Sequence, residues 1–131
     1  MKTVSADKPG ILVVEDDAII AWDIALQLHG MGYQALGPAA TGARAIELAG
    51  SLRPALVLMD IHLRGPMDGI SAALSIRSQF DVPSVFLSAF ASEGGLARAE
   101  AARPAGYISK PFTEHDLRCV LAAALDSSQA A

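Results

Sequence analysis

Acidic residues, a serine and a lysine each stand directly after a short apolar run of this chain. In chain order they are Glu15-Asp16-Asp17, Asp60, Ser88 and Lys110. Carboxylates that share one crevice repel each other, and they stay ionised together when a cation offsets their charge. Few, hard oxygen ligands suit Mg²⁺, with water and phosphate oxygens completing its shell. These residue types therefore predict a magnesium site around the acidic residues.

Asp60 could use such a site as a carboxylate nucleophile toward phosphorus, which would give an acyl phosphate. Phosphoryl transfer depends mainly on positioning and on neutralising the three equatorial oxygens of the transferred group. Besides Mg²⁺, Lys110 could supply a mobile positive charge, and the Ser88 hydroxyl could donate a hydrogen bond. The pattern therefore predicts a phosphorylation switch in which Asp60 accepts a phosphoryl group.

Apolar runs that alternate with helical periodicities would position these residues. Strands are predicted at 11–14, 33–37, 55–59, 84–87 and 107–109. Helices are predicted between the strands and after the last one, with N-caps at Thr41, Asp68 and Thr113. Such alternation implies a parallel sheet covered on both faces. Ligands of open sheets of this kind bind at the carboxyl ends of the strands, where the strand order reverses, so the fold should gather the candidate residues.

The first predicted helix follows the first strand and has apolar residues at helical spacing. Its inner stripe is predicted to be Ile20, Ile24, Leu28 and Met31. Trp22 lies off this stripe, which predicts a partly exposed residue or a contact patch.

Four blocks of the sequence resemble the signature blocks of response-regulator receiver domains. They are Val13-Val14-Glu15-Asp16-Asp17, Met59-Asp60, Leu87-Ser88-Ala89 and Gly106-Tyr107-Ile108-Ser109-Lys110-Pro111-Phe112. The resemblance covers the chain from Ile11 to Leu125 and is to stand-alone receivers of the chemotaxis type. It implies a doubly wound, flavodoxin-like α/β fold with a five-stranded parallel sheet in the order 2-1-3-4-5 and five helices.

The resemblance also implies a metal site and a phosphoacceptor. Asp60 would accept the phosphoryl group from a histidine kinase or a phosphotransfer protein. Asp16 and Asp60 would bind Mg²⁺ directly, and Glu15 would bind it through water. The backbone carbonyl of His62 would be a further ligand.

A switch is implied at the neighbouring strand ends. Lys110 would pair with the phosphate and would precede a cis peptide bond to Pro111. Ser88 would bond the phosphate on activation, and Tyr107 would change rotamer with it; the alternative for Tyr107 is an edge aromatic with its hydroxyl in water. The signal would pass to a downstream protein, or to a second copy, through the face formed by the fourth helix, the fifth strand and the last helix. Such a domain catalyses only its own phosphorylation and dephosphorylation, so it is not otherwise an enzyme.

The sequence departs from the usual receiver pattern around the phosphoacceptor. Ser88 stands where threonine is commoner. Leu63-Arg64 occupy the places of a usual Met-Pro pair, and Gly69 comes nine residues after Asp60 instead of eight. The loop is therefore predicted to be one residue longer. The stretch 59–70 resembles a receiver subgroup that is often linked to sensor-kinase architectures.

Composition limits the other function classes. The chain has 131 residues and a net charge of −4 without a run of Lys or Arg, which disfavours direct nucleic-acid binding. It contains neither a secretory signal nor an apolar run long enough to span a bilayer, and its single Cys119, predicted to pack on a helix, fits a reducing compartment. We therefore expect a cytoplasmic protein with an N-terminal extension at 1–9, a receiver domain at 10–126 and a frayed tail at 127–131.

Three other functions compete with the switch. A phosphatase of the haloacid-dehalogenase type would need a second Asp two residues after the nucleophile, where His62 stands. A pseudo-receiver that works without phosphorylation usually lacks an acidic residue or the lysine, and both are present here. A flavin-binding domain would need a phosphate loop after the first strand, but Glu15-Asp16-Asp17 has the wrong charge.

Overall fold

Strands and helices alternate in the computed structural model of this chain, which describes residues 8–88 and 99–130, with side chains up to 126. The strands are β1 (Gly10–Val14), β2 (Gln34–Ala39), β3 (Leu56–Asp60), β4 (Ser84–Ser88) and β5 (Gly106–Ser109). The helices are α1 (Ala18–Gly30), α2 (Gly42–Leu52), α3 (Gly69–Phe80) and a C-terminal helix (Glu114–Ala130), and residues 99–101 between β4 and β5 are also helical. All strand pairs are parallel, in the order β2-β1-β3-β4-β5. The predicted doubly wound fold is therefore confirmed.

Helices cover both faces of the sheet, which explains why its central strands read as continuous apolar runs. Successive side chains of a strand point to opposite faces. Leu12 and Val57 pack under α2 and α3, whereas Ile11 and Leu58 pack under α1 and the C-terminal helix. The carboxyl ends of the strands stay open because the helices lie over the faces and not over this edge.

Side chains cap α1, α2, α3 and the C-terminal helix, the last three at the predicted residues. The Asp17 carboxylate accepts hydrogen bonds from the N–H groups of Ile19 and Ile20, at 3.0 and 3.2 Å. At the C-terminal helix, Thr113 Oγ1 accepts from the Asp116 N–H and the Asp116 carboxylate accepts from the Thr113 N–H. The caps of α2 and α3 are Thr41 and Asp68. The acidic segment after β1 thus divides into a helix cap, Asp17, and the two residues that precede it.

Strand β2 begins one residue later and ends two residues later than the predicted range 33–37. It runs over Gln34–Ala39 and includes Pro38, which an edge strand tolerates because one of its sides has no partner strand. Gly37 has a φ of +94° there, and the pairing with β1 shifts register. The extension has a consequence at the site, because the carbonyl oxygen of Ala39 accepts a hydrogen bond from the Glu15 N–H at 3.0 Å.

Helix α1 presents an apolar surface to solvent. Ile24 and Leu28 are buried as predicted, but Ile20 is 40% exposed, so its assignment to the inner stripe was wrong. Trp22 is exposed, as predicted. The large apolar side chains on the outside are Ile19, Ile20, Trp22 and Leu26. Apolar residues occur all round this helix, so periodicity alone could not define its inner face.

The C-terminal helix continues to Ala130, so the tail predicted from residue 127 is helical up to that point. Gln129 and Ala130 at its end are good helix formers, whereas Ser127 and Ser128 before them are weaker ones. Cys119 is exposed on this helix with its sulfur 3.5 Å from His115 Nε2, so the prediction that it packs was wrong. None of the helices within 8–88 and 99–130 has the length and apolar character needed to cross a membrane.

Candidate functional site

The ends of β1 and β3 bring three carboxylates together. Asp60 is the last residue of β3, and Glu15 and Asp16 directly follow β1, its parallel neighbour. Each of the three offers an oxygen that lies within 4.8 Å of the oxygens of the other two. Glu15 and Asp60 are buried. Three hard oxygen donors at this spacing could hold a metal ion of the Mg²⁺ type, so the residues fit the predicted cofactor.

Lys110 bridges two of these carboxylates from the end of β5. Its Nζ lies 3.3 Å from Glu15 Oε1 and 3.3 Å from Asp60 Oδ2. Burial by itself would lower the pKa of Lys110, but the Asp60 and Glu15 carboxylates outweigh it and raise that pKa above its ordinary value. Burial raises the pKa of Glu15, against the hydrogen bond from the Asp17 N–H and the charge of Lys110. One ammonium among three carboxylates leaves a negative excess that a divalent cation would offset.

The loop after Asp60 supplies two further donors to the cluster. The His62 N–H donates to Asp60 Oδ1 at 3.0 Å. The Arg64 N–H donates to Asp16 Oδ2 at 3.0 Å, and the Arg64 Nε lies 3.7 Å from the same oxygen. Each carboxylate of the cluster is therefore held by at least one hydrogen bond. The His62 side chain is exposed, and the part of its carbonyl as a metal ligand stays a prediction.

Gly69 lets the start of α3 approach Asp60 closely. Its N–H donates to the Ile61 carbonyl at 3.0 Å. A Cβ on Gly69 would collide with the backbone carbonyl of Asp60, so any other residue would displace one of these segments. Sequence reasoning used Gly69 only to count the loop length. Its place at the first position of α3 was the available signal of a close approach.

Ser88 and Lys110 meet through the backbone at the ends of β4 and β5. The Lys110 N–H donates to the Ser88 carbonyl at 2.6 Å, and the Lys110-Pro111 peptide bond is cis, which confirms that prediction. The role of the Ser88 hydroxyl toward a phosphate stays a prediction. Ala89, residues 1–7, Ala131 and most of the fourth predicted helix lie outside the described residues.

Tyr107 lies on β5, an edge strand of the sheet, and its side chain is exposed. Its hydroxyl donates to Glu100 Oε2 at 2.6 Å, and its ring centroid lies 6.0 Å from that of Phe86. Burial and the neighbouring Glu100 carboxylate raise the pKa of Tyr107 to about 12. Sequence reasoning allowed a switch or an edge aromatic with its hydroxyl in water. The structure gives that hydroxyl a carboxylate partner, which no sequence pattern indicated.

An acidic cluster and a lysine at the switch point of a 2-1-3-4-5 parallel sheet define a class of signalling domain. A family model described as "Response regulator receiver domain" matches residues 11–122. The chain belongs to the response-regulator receiver domains of two-component systems, a signalling family and not a family of ordinary enzymes. The predicted resemblance is thereby confirmed.

Two curated relatives and one solved structure illustrate the similarity. The chain is 40% identical over 107 residues to the transcriptional regulatory protein PdtaR of Mycobacterium tuberculosis, covering 82% of this chain and 52% of that protein. It is 34% identical over 122 residues to the phyllosphere-induced regulator PhyR of Methylorubrum extorquens, covering 92% and 45%. The chain thus spans about half the length of these relatives.

The solved structure is the receiver domain of the sensor histidine kinase PA1611 from Pseudomonas aeruginosa, which has a magnesium ion coordinated in its active-site cleft. Its fold matches with a TM-score of 0.81 at 31% identity, over 91% of this chain and 98% of that one.

Proposed function

We propose that Asp60 accepts a phosphoryl group from a histidine kinase or phosphotransfer protein in a Mg²⁺-dependent reaction. One observation carries the proposal: Asp60 is a buried strand-end carboxylate that shares its crevice with two further acids and lies 3.3 Å from the Lys110 ammonium. The magnesium ion in the cleft of the PA1611 receiver supports the choice of metal.

Four residues would hold the metal ion. Asp16 and Asp60 would bind Mg²⁺ directly, Glu15 through water, and the His62 carbonyl would add a ligand. When bound, the ion would supply positive charge to the phosphoryl oxygens. The hydrogen bonds from loop N–H groups to Asp60 Oδ1 and Asp16 Oδ2 restrict both carboxylates to one orientation. This support reduces the reorganisation needed when the ligand arrives.

In the transfer, an Asp60 oxygen would form a bond to phosphorus while the bond from phosphorus to the donor imidazole nitrogen breaks. The donor imidazole keeps the electron pair of the broken bond. Lys110 is already shared between Glu15 and Asp60, so its ammonium can follow the negative charge that the phosphoryl group adds to Asp60. The lysine would therefore stabilise both the transfer and the product.

The phosphorylated state would be read out at Ser88 and Tyr107. A phosphoryl group that attracts the Ser88 hydroxyl would make room for the Tyr107 ring to turn inward from its contact with Glu100. The surface of β5 and the C-terminal helix would change with it. We propose that a downstream protein, or a second copy of the chain, binds this surface more tightly after phosphorylation. Partner affinity with and without beryllofluoride tests this, and equal affinities would contradict it.

Phosphorylation itself is tested by intact mass after incubation with a small acyl-phosphate donor. We expect one added phosphoryl group with Mg²⁺, none after chelation, and none in Asp60→Asn. Asp23→Asn is the matched control, because it removes an exposed acid of α1 that accepts a hydrogen bond from Gln27. Labelling of Asp60→Asn at the wild-type level would show that the phosphoacceptor lies elsewhere.

A further inference from the structure

Arg64 contacts one oxygen of Asp16 in two ways. Its main-chain N–H donates to Asp16 Oδ2 at 3.0 Å, across 48 residues of sequence. Its Nε lies 3.7 Å from that oxygen, beyond hydrogen-bond distance. The Arg64 side chain is 85% exposed and that of Asp16 only 16%. The backbone contact is therefore a hydrogen bond of ordinary length, whereas the charged contact is loose and solvated.

The backbone contact restricts the Asp16 carboxylate. A carboxylate has two oxygens, and a hydrogen bond to Oδ2 limits rotation while leaving the other oxygen for a metal ion. Asp16 stands in a cluster whose ligand oxygens lie within 4.8 Å of one another, so a rotation of its carboxylate would change the cluster directly. A ligand held in advance loses less freedom when a metal binds.

The guanidinium lies at the solvent side of the same cluster. Its contact with Asp16 is weak enough to be exchanged, because exposed ion pairs contribute little. A guanidinium presents several donors in a planar fork that fits a phosphate group. Ligand oxygens of Asp16 and Asp60 lie within 4.8 Å of each other, so a phosphodonor that reaches Asp60 would come close to this side chain.

We propose that Arg64 positions Asp16 for Mg²⁺ through its main-chain N–H and contacts the phosphoryl group of the incoming donor through its guanidinium, a role that rests on the proposed function. The two roles belong to different atoms of one residue. Substitutions can therefore separate them.

Three variants divide the backbone from the side chain. Arg64→Ala keeps the N–H and removes the guanidinium, Arg64→Lys keeps a positive charge without the fork, and Arg64→Pro removes both the N–H and the guanidinium. Arg44→Ala is the matched control, because Arg44 is an exposed arginine that pairs with Glu47 on α2.

Mg²⁺ affinity of the unphosphorylated protein, measured by calorimetry, tests the backbone role. We expect a dissociation constant within about twofold of wild type for Arg64→Ala and Arg44→Ala, and an increase of about three- to tenfold for Arg64→Pro. Equal affinities for Arg64→Ala and Arg64→Pro would overturn this role. The Arg64 amide proton resonance gives a second readout that does not depend on how the proline variant folds. It should lie downfield, and Asp16→Ala should shift it upfield; an amide resonance that is indifferent to Asp16→Ala would contradict the contact.

Phosphorylation kinetics with a small acyl-phosphate donor test the guanidinium. We expect Arg64→Ala to raise the half-saturating donor concentration several-fold at an unchanged maximal rate, with Arg64→Lys intermediate and Arg44→Ala like wild type. A fall in maximal rate alone would overturn the donor contact. If the wild-type protein takes up no phosphoryl group, the proposed function fails, while the Mg²⁺ measurements still decide the positioning of Asp16.

Discussion

Lys110 and Arg64 are cations beside different members of one acidic cluster, and they differ in depth. The Lys110 side chain is 25% exposed and lies 3.3 Å from two carboxylates that are almost fully buried. The Arg64 side chain is 85% exposed and its Nε lies 3.7 Å from its carboxylate. Water and salt screen an exposed pair and leave a buried one strong. The site thus has a deep side at the strand ends, formed by Lys110, Glu15 and Asp60. It has a shallow side at the loop after β3, formed by Arg64 and Asp16.

Metal binding should give the largest effect, because a divalent ion acts on both sides of the cluster at once. At a hundredfold excess over its dissociation constant, Mg²⁺ should raise the free energy of unfolding by about 2.7 kcal/mol. Asp16→Asn should remove most of this gain, since it replaces one proposed ligand carboxylate by an amide. Urea unfolding with and without Mg²⁺ measures it.

The matched control for the metal experiment is Asp23→Asn, which should keep the full gain. A free energy of unfolding that is indifferent to millimolar Mg²⁺ would contradict the metal site and favour a receiver that works without phosphorylation.

Removal of Lys110, the cation of the deep side, should have the next largest effect on the free energy of unfolding. Without metal, Lys110→Met leaves Glu15 and Asp60 close together without their shared ammonium, so we expect a loss of about 1–2 kcal/mol in the free energy of unfolding. This loss is smaller than the loss expected when a fully buried ion pair is broken, because Lys110 is partly exposed. Denaturant unfolding at neutral pH, with the exposed Lys8→Met as control, measures the loss. A Lys110→Met protein as stable as wild type would show that solvent already neutralises the deep side.

Removal of the Arg64 side chain, the cation of the shallow side, should have the smallest effect on the free energy of unfolding. Arg64→Ala should change the free energy of unfolding without metal by less than about 0.5 kcal/mol, and added salt should reduce even that. The same denaturant curves, recorded at low and high salt beside those of Lys110→Met, measure it. An Arg64→Ala loss as large as that of Lys110→Met would remove the distinction between the two sides.

Local sequence patterns were sufficient to predict most of the strands and helix caps of the fold. They predicted the apolar strands and the caps at Thr41, Asp68 and Thr113, which are present, whereas the cis bond before Pro111 was predicted from the resemblance to receiver domains. The ranges of β2 and the inner face of α1 were not predicted correctly. An edge strand and a helix that is apolar on all sides lack the contrast between polar and apolar faces from which such limits are inferred.

The sequence by itself determined which residues stand at the carboxyl ends of the strands, because strand ends and helix caps depend on neighbours in the chain. Only the tertiary structure decided how those residues meet. Lys110 is shared equally between Glu15 and Asp60, and the Arg64 N–H reaches Asp16, over separations of 95, 50 and 48 residues. These contacts depend on the twist of the sheet and the path of one loop, and at such separations no periodicity in the sequence records them.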